Sequence, residues 1–157
     1  MQITVVGAGY VGLSNAALLA THNDVLLMDI DASKIDKVAR GVSPIVDAEL
    51  EQARSGADLR LEATTEPDRA YVSPQRVLIA TPTIYETVTN LFDTHSVESV
   101  IDQVVSRSPQ AIVIIKSTIP VGFTEQMRQA HPGTTILFAP EFLREGHALR
   151  DNQYPSR

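Results

Sequence analysis

Three glycines in the first dozen residues do most to limit what this chain can become. Gln2 to Val6 is a short apolar run, Gly7-Ala8-Gly9-Tyr10-Val11-Gly12 follows it, and Leu13 to Ala20 continues with alanine and leucine. That order predicts a buried strand, a tight turn and a helix. Gly7 permits the turn, Gly9 lets a pyrophosphate approach the backbone, and Gly12 brings helix against strand. Tyr10 and Val11 then stand at a helix start, where unpaired N–H groups and the positive dipole end attract phosphate. Glycines also mark ordinary turns, so the pattern needs support. A second strand predicted from Asp24 to Met28 ends at Asp29, the place where a carboxylate can accept the hydroxyls of an adenosine ribose. Strand, helix and acid together predict dinucleotide binding.

With 157 residues the chain suits one domain with a substantial core. Its hydrophobic content of 43% and charged content of 20% are those of a soluble protein, and no apolar run is long enough to span a bilayer. Met1-Gln2-Ile3-Thr4 lacks a basic leader, so a cytoplasmic location is expected. A net charge of -6 argues against nucleic acid and against anionic membranes as partners. The absence of cysteine rules out disulfides and thiolate metal sites within these residues. His22, His95, His131 and His147 show no ligand spacing, and no metal site is expected.

Apolar runs alternate with amphipathic ones, predicting an α/β fold: a Rossmann-type, doubly wound, parallel sheet of six strands. Further helices are expected over Ser33 to Arg40, Asp47 to Gly56, Glu66 to Val72, Thr94 to Ser106 and about Gly122 to Ala130. Further strands are expected over Leu59 to Ala63, Arg76 to Ala80, Ala111 to Lys116 and Thr134 to Phe138. Ile112-Val113-Ile114-Ile115 is apolar on both faces, as a central parallel strand requires. Past Ala139 the pattern changes to a loop, with one amphipathic helical stretch expected near Leu143 to Leu149.

Ligands of an open parallel sheet bind beyond the carboxyl ends of its strands. The residues there are the Gly7 loop, Asp29, Thr81-Pro82-Thr83, Lys116-Ser117-Thr118 and Pro140-Glu141. Threonine hydroxyls at strand ends can bond phosphate, ribose or sugar, although they equally cap local backbone. Ile119-Pro120-Val121-Gly122 forms a stiff turn that would hold Thr118 in place. If the segment around Glu141 and Glu145 is helical, their spacing of four puts both carboxylates on one side, as proton-transfer groups or as a solvated pair.

GAGYVGL at 7 to 13, SPI at 43 to 45, ATPT at 80 to 83, KSTIPVGFT at 116 to 124, and APEFLREG at 139 to 146 ending in DNQYPSR resemble the UDP-glucose 6-dehydrogenases. STIPVG together with PEFLREG is specific to nucleotide-sugar dehydrogenases; GDP-mannose dehydrogenases of the same wider UDP-glucose/GDP-mannose dehydrogenase family share PEFLRE, so IKSTIPVGFT and YPSR carry the narrower likeness. The resemblance implies oxidation of UDP-glucose to UDP-glucuronate with two NAD, a reaction of nucleotide-sugar and polysaccharide biosynthesis. A cysteine of the family carries the thiohemiacetal and thioester. It also implies roles for individual residues. Gly7, Gly9, Tyr10, Val11, Gly12, Asp29, Lys34 and Thr83 match cofactor-binding positions. Thr118 matches a position that orders the catalytic water and lies at the cofactor. Glu145 matches the carboxylate for proton transfer and thioester hydrolysis, also beside the cofactor, and Glu141 a second acid near the sugar. Phe142, Leu143 and Arg144 would face the substrate with Glu141 and Glu145.

The family's nucleophile has no counterpart here, so residues 1–157 are expected to be a single NAD-binding domain of a truncated chain. On that reading the central helix and C-terminal UDP-binding domain are missing, the isolated domain is inactive, and the intact enzyme is a homodimer. Arg150 departs from the aromatic residue of close relatives. NAD is expected over NADP because Asp29 would face the 2'-phosphate and no arginine replaces Ile30 or Asp31. Two other readings remain open: the same domain in a GDP-mannose or UDP-N-acetylsugar dehydrogenase, and a non-catalytic NAD-sensing module that needs only the glycine loop and Asp29.

Overall fold

A computed structural model describes residues 1–56, 59–87 and 91–154. In chain order the elements are β1 (Gln2–Val6), α1 (Tyr10–Ala20), β2 (Asp24–Met28), α2 (Ala32–Ala39), α3 (Ala48–Gly56), β3 (Leu61–Thr64), α4 (Pro67–Ala70) and β4 (Arg76–Ile79). There follow β5 (Ile84–Glu86), β6 (Leu91–Asp93), α5 (His95–Arg107), β7 (Ile112–Ile115), α6 (Phe123–Ala130), β8 (Ile136–Phe138) and α7 (Ala148–Gln153). Six strands form one sheet in the order β3-β2-β1-β4-β7-β8, with every neighbouring pair parallel. This is the expected doubly wound arrangement, with strand order reversing between β1 and β4.

The alternation of side chains along each strand divides the core into two layers. Ile3, Val5, Val25, Leu27 and Leu78 meet Leu13, Ala16 and Ala17 of α1, Val38 of α2, Leu50 of α3 and Leu149 of α7. Val6, Met28, Val77, Ile79, Val113 and Ile115 meet Tyr71, the apolar stripe of α5, and Phe123 and Met127 of α6 on the other face. That stripe is Val97, Val100, Ile101 and Val104, the helical spacing read in the sequence. Asp47 is buried at the start of α3 and accepts the Leu50 N–H at 3.1 Å, capping the helix as expected.

Two expectations fail. Thr83 to Asp93 carried no predicted element, yet β5 and β6 pair antiparallel, with Tyr85 and Phe92 rings 5.0 Å apart. Each strand has three residues, too few for a period of two to register, and Ile84 and Tyr85 are exposed. The helix expected over Leu143 to Leu149 is not there: the chain stays irregular to His147, and the helix is Ala148–Gln153. The Arg144 N–H bonds the Asp151 carboxylate rather than a carbonyl, and Gly146 takes φ 82°, so no helical ladder forms earlier. The Leu149 N–H reaches back to Asp47 Oδ2 at 3.4 Å, which seats the later helix against α3. Pro155 to Arg157, part of the DNQYPSR motif, lies outside the described residues.

Candidate functional site

Because the six strands are parallel and end in near register, their carboxyl ends share one rim. Val6 is level with Met28 and Ile79, Ile79 with Ile115, and Ile115 with Phe138. The loops following β1, β2, β4, β7 and β8 therefore carry Gly7 to Gly9, Asp29, Thr81 to Thr83, Lys116 to Thr118 and Glu141 along one edge. A cavity of about 800 Å³ lies at the opposite end, among Gln2, Asp24, Arg60 and Arg69, so size does not locate this site.

The three glycines differ in what requires them. A Cβ on Gly7, at φ 106°, would lie 2.4 Å from the Ala80 carbonyl oxygen; on Gly12 it would lie 1.7 Å from that of Gly7. Both are forced by the fold. A Cβ on Gly9 meets nothing within 4 Å, so no protein atom demands glycine there. Gly9 caps α1 without a side-chain bond, and the first turn carries no acid. The open space at Gly9 and the uncapped helix start fit a pyrophosphate.

Asp29, 9% exposed, closes the loop from the β2 side. Its Oδ2 accepts the Ala8 N–H at 2.6 Å and its Oδ1 the Asp31 N–H at 2.9 Å. A carboxylate accepts about four hydrogen bonds, which leaves room for ribose hydroxyls. Lys34 Nζ stands 3.8 Å from Oδ2, on the α2 turn that Asp31 caps. Gly7, Gly9, Tyr10, Val11, Gly12, Asp29 and Lys34 are thus brought together. Thr83 lies half-buried after β4. The neighbouring Thr81 is fixed by Ser96 Oγ at 3.0 Å, while Ser117 donates to the Thr81 carbonyl at 2.7 Å, tying the ends of β4 and β7. Thr118 is exposed beyond that tie.

Glu141 and Glu145 do not share one side of a helix, because the chain from Glu141 to His147 is not helical. Glu141 forms an ion pair with Lys116 at 2.6 Å, with side chains 12% and 14% exposed, whereas Glu145 is exposed in the loop. Between them, Phe142 is exposed and Leu143 half-buried. Arg144 grips Asp151 through its N–H, Nε and Nη2. The Arg144 side-chain bond, then its backbone N–H, hold the Asp151 carboxyl well below the usual carboxylate range. Arg150 Nη1 lies 3.9 Å from Glu49 Oε1.

Sequence reasoning assigned no role to Lys116 or Asn152. A lysine ending an apolar strand was a usable signal, since its charge enters a half-buried rim and calls for a carboxylate. Asn152 offered none, because its partners Ser14 and Glu141 belong to distant parts of the chain.

A family profile described as "UDP-glucose/GDP-mannose dehydrogenase family, NAD binding domain" matches residues 1–157. The UDP-glucose 6-dehydrogenase of Streptococcus pneumoniae is 43% identical over 157 residues, covering 100% of this chain and 40% of that protein. The enzyme of the same description from Campylobacter jejuni is 43% identical over 159 residues with the same shares. Among solved structures, a UDP-glucose dehydrogenase from Pyrobaculum islandicum superposes with a TM-score of 0.83 at 28% identity, over 99% of this chain and 39% of that one. A GDP-mannose dehydrogenase from Pseudomonas aeruginosa gives 0.83 at 27% identity over the same shares. The chain spans about 40% of the length of the curated relatives it matches.

Proposed function

Since the chain belongs to the UDP-glucose/GDP-mannose dehydrogenase family and is its NAD-binding domain, we propose that it is the cofactor half of an enzyme oxidising the C6 alcohol of UDP-glucose to UDP-glucuronate. The observation that carries this reading is the shared rim: the glycine loop and Asp29 stand at the carboxyl ends of β1 and β2, and the Lys116–Glu141 pair at those of β7 and β8. Bound there, NAD supplies a hydride acceptor, once for each of two oxidations. The first turn of α1, at Tyr10 and Val11, holds the pyrophosphate, and Asp29 with Lys34 the ribose. Thr83 and Thr118 bound the cofactor from the far side of the switch point. Glu145, exposed in the loop, is the carboxylate for proton transfer to and from water, and Thr118 orders that water. Phe142 to Arg144 face the sugar nucleotide, and Glu141 anchors their loop.

UDP-glucose is favoured over other sugar nucleotides because two relatives at 43% identity carry that description. With no cysteine in these residues, the nucleophile and the UDP site are assigned to a further domain of a longer protein. That protein is assigned to the cytoplasm as a homodimer. No helix among the described residues is long and apolar enough to cross a membrane.

Titration calorimetry tests the cofactor half: the chain is expected to bind NAD more tightly than NADP, and Asp29→Ala to lose most of that preference. Equal affinities in the wild type would overturn the ribose assignment. The full-length protein is expected to form two NADH per UDP-glucose. Preferential turnover of GDP-mannose would move the chain to the other branch of the family, and NAD binding without turnover of any sugar nucleotide would make it a sensor. Light scattering checks the dimer.

A further inference from the structure

The ion pair of Lys116 and Glu141 satisfies only part of the Glu141 carboxylate, and what completes it comes from α7. With its amide oriented to satisfy all neighbours, Asn152 Nδ2 lies 2.8 and 3.0 Å from the two Glu141 oxygens. Its Oδ1 accepts from Asn15 Nδ2 at 3.2 Å and lies 2.8 Å from Ser14 Oγ. One uncharged side chain thus joins the loop after β8 to the second turn of α1, the helix whose first turn faces the cofactor. We infer that Asn152 is a positioning residue that fixes the Glu141–Glu145 loop against α1 and so sets where a sugar nucleotide docks. This rests on the proposed function for the identity of the substrate.

The two sides of this tether depend on it unequally. On α1, Ser14 Oγ keeps its own contact to the Tyr10 carbonyl at 2.6 Å and Asn15 Nδ2 its bond to the Val11 carbonyl at 2.8 Å. The loop has no regular structure, and its other side-chain contacts among the described residues are Lys116 to Glu141, Arg144 to Asp151 and His147 to Glu49. Removing the Asn152 amide therefore loosens the loop and leaves the cofactor end of α1 in place. Aspartate at this position has nearly the shape of asparagine, but it sets a carboxylate against Glu141. Packing alone would make Asn152→Asp milder than Asn152→Ala; positioning through the donated bonds makes it worse.

Two measurements on the full-length protein decide this. In hydrogen exchange, residues 141–147 are expected to exchange about tenfold faster in Asn152→Ala and faster still in Asn152→Asp, with α1 unchanged. In steady-state kinetics, KM for UDP-glucose is expected to rise about tenfold in Asn152→Ala and further in Asn152→Asp, with KM for NAD within about twofold. The inference is overturned by unchanged loop exchange, by equal loosening of α1, by Asn152→Asp proving the milder variant, or by failure of both variants to fold. A fall in kcat at constant KM also overturns it. A wild type that turns over no sugar nucleotide sinks the proposed function instead, and the exchange data still decide the role of Asn152.

Discussion

At the scale of single residues, the glycine fingerprint separates into two positions held by the fold and one, Gly9, that no protein atom requires. Alanine at 12 places a methyl 1.7 Å from the Gly7 carbonyl oxygen, a backbone atom with no freedom to move aside. Gly12→Ala is expected to cost about 4 kcal/mol or more in urea melts, or to prevent folding. Alanine at 9 meets open space, at φ -90° and ψ -168°, a conformation any residue adopts. Gly9→Ala is expected to cost about 1 kcal/mol or less, as a poorer helix cap. Its NAD affinity should fall about tenfold or more, equivalent to about 1.4 kcal/mol of misfit at the pyrophosphate. Calorimetry showing wild-type NAD affinity for Gly9→Ala would place the pyrophosphate elsewhere. The sequence reading already gave Gly7 to the turn and Gly12 to helix packing; what it could not supply is the atoms that enforce this, the Ala80 carbonyl at Gly7 and the Gly7 carbonyl at Gly12.

Among the elements, α7 has the most to do relative to its length. Its Leu149 is in the core, its Leu149 N–H meets Asp47, its Asn152 meets Glu141, and its Asp151 holds Arg144. The Asp151 carboxyl is held below its ordinary value of 3.8 in the folded protein. Its ionised form is thus favoured by folding, so the pair contributes stability that is fully present above that value and is lost as pH falls through it toward the lowered one. Asp151→Asn is expected to be less stable than wild type at neutral pH, with the gap narrowing in urea melts stepped down to about pH 3. A gap that stays constant would mean that the ion pair is not its source. The strands, and α5 with its apolar stripe, were legible because burial on two faces or on one stripe leaves a period in the sequence. Six residues of α7 leave none. Its start is set by Asp47, about a hundred positions away; local spacing therefore pointed to Leu143 to Leu149, and the helical condition under which Glu141 and Glu145 would share one side is not met. The pairing of β5 with β6 was illegible for the related reason that both strands are short and β5 is exposed.

For the whole molecule, charge and ligand have the same sign. The chain carries -6, and the pyrophosphate of NAD is itself anionic, so the long-range field opposes binding. Attraction has to come from groups in contact: the N–H donors of the first turn of α1, with no acid among them, and Lys34, which already faces Asp29 at 3.8 Å. Salt screens over about 10 Å at 0.1 M and about 3 Å at 1 M, so it removes the distant repulsion first and touches short hydrogen bonds least. NAD affinity of the isolated chain is therefore expected to stay within about threefold, or to rise, as sodium chloride goes from about 0.05 to about 0.5 M. Calorimetry across that range checks it. A fall of about tenfold would show that exposed basic side chains carry the pyrophosphate, and the helix start would lose its place as the phosphate site.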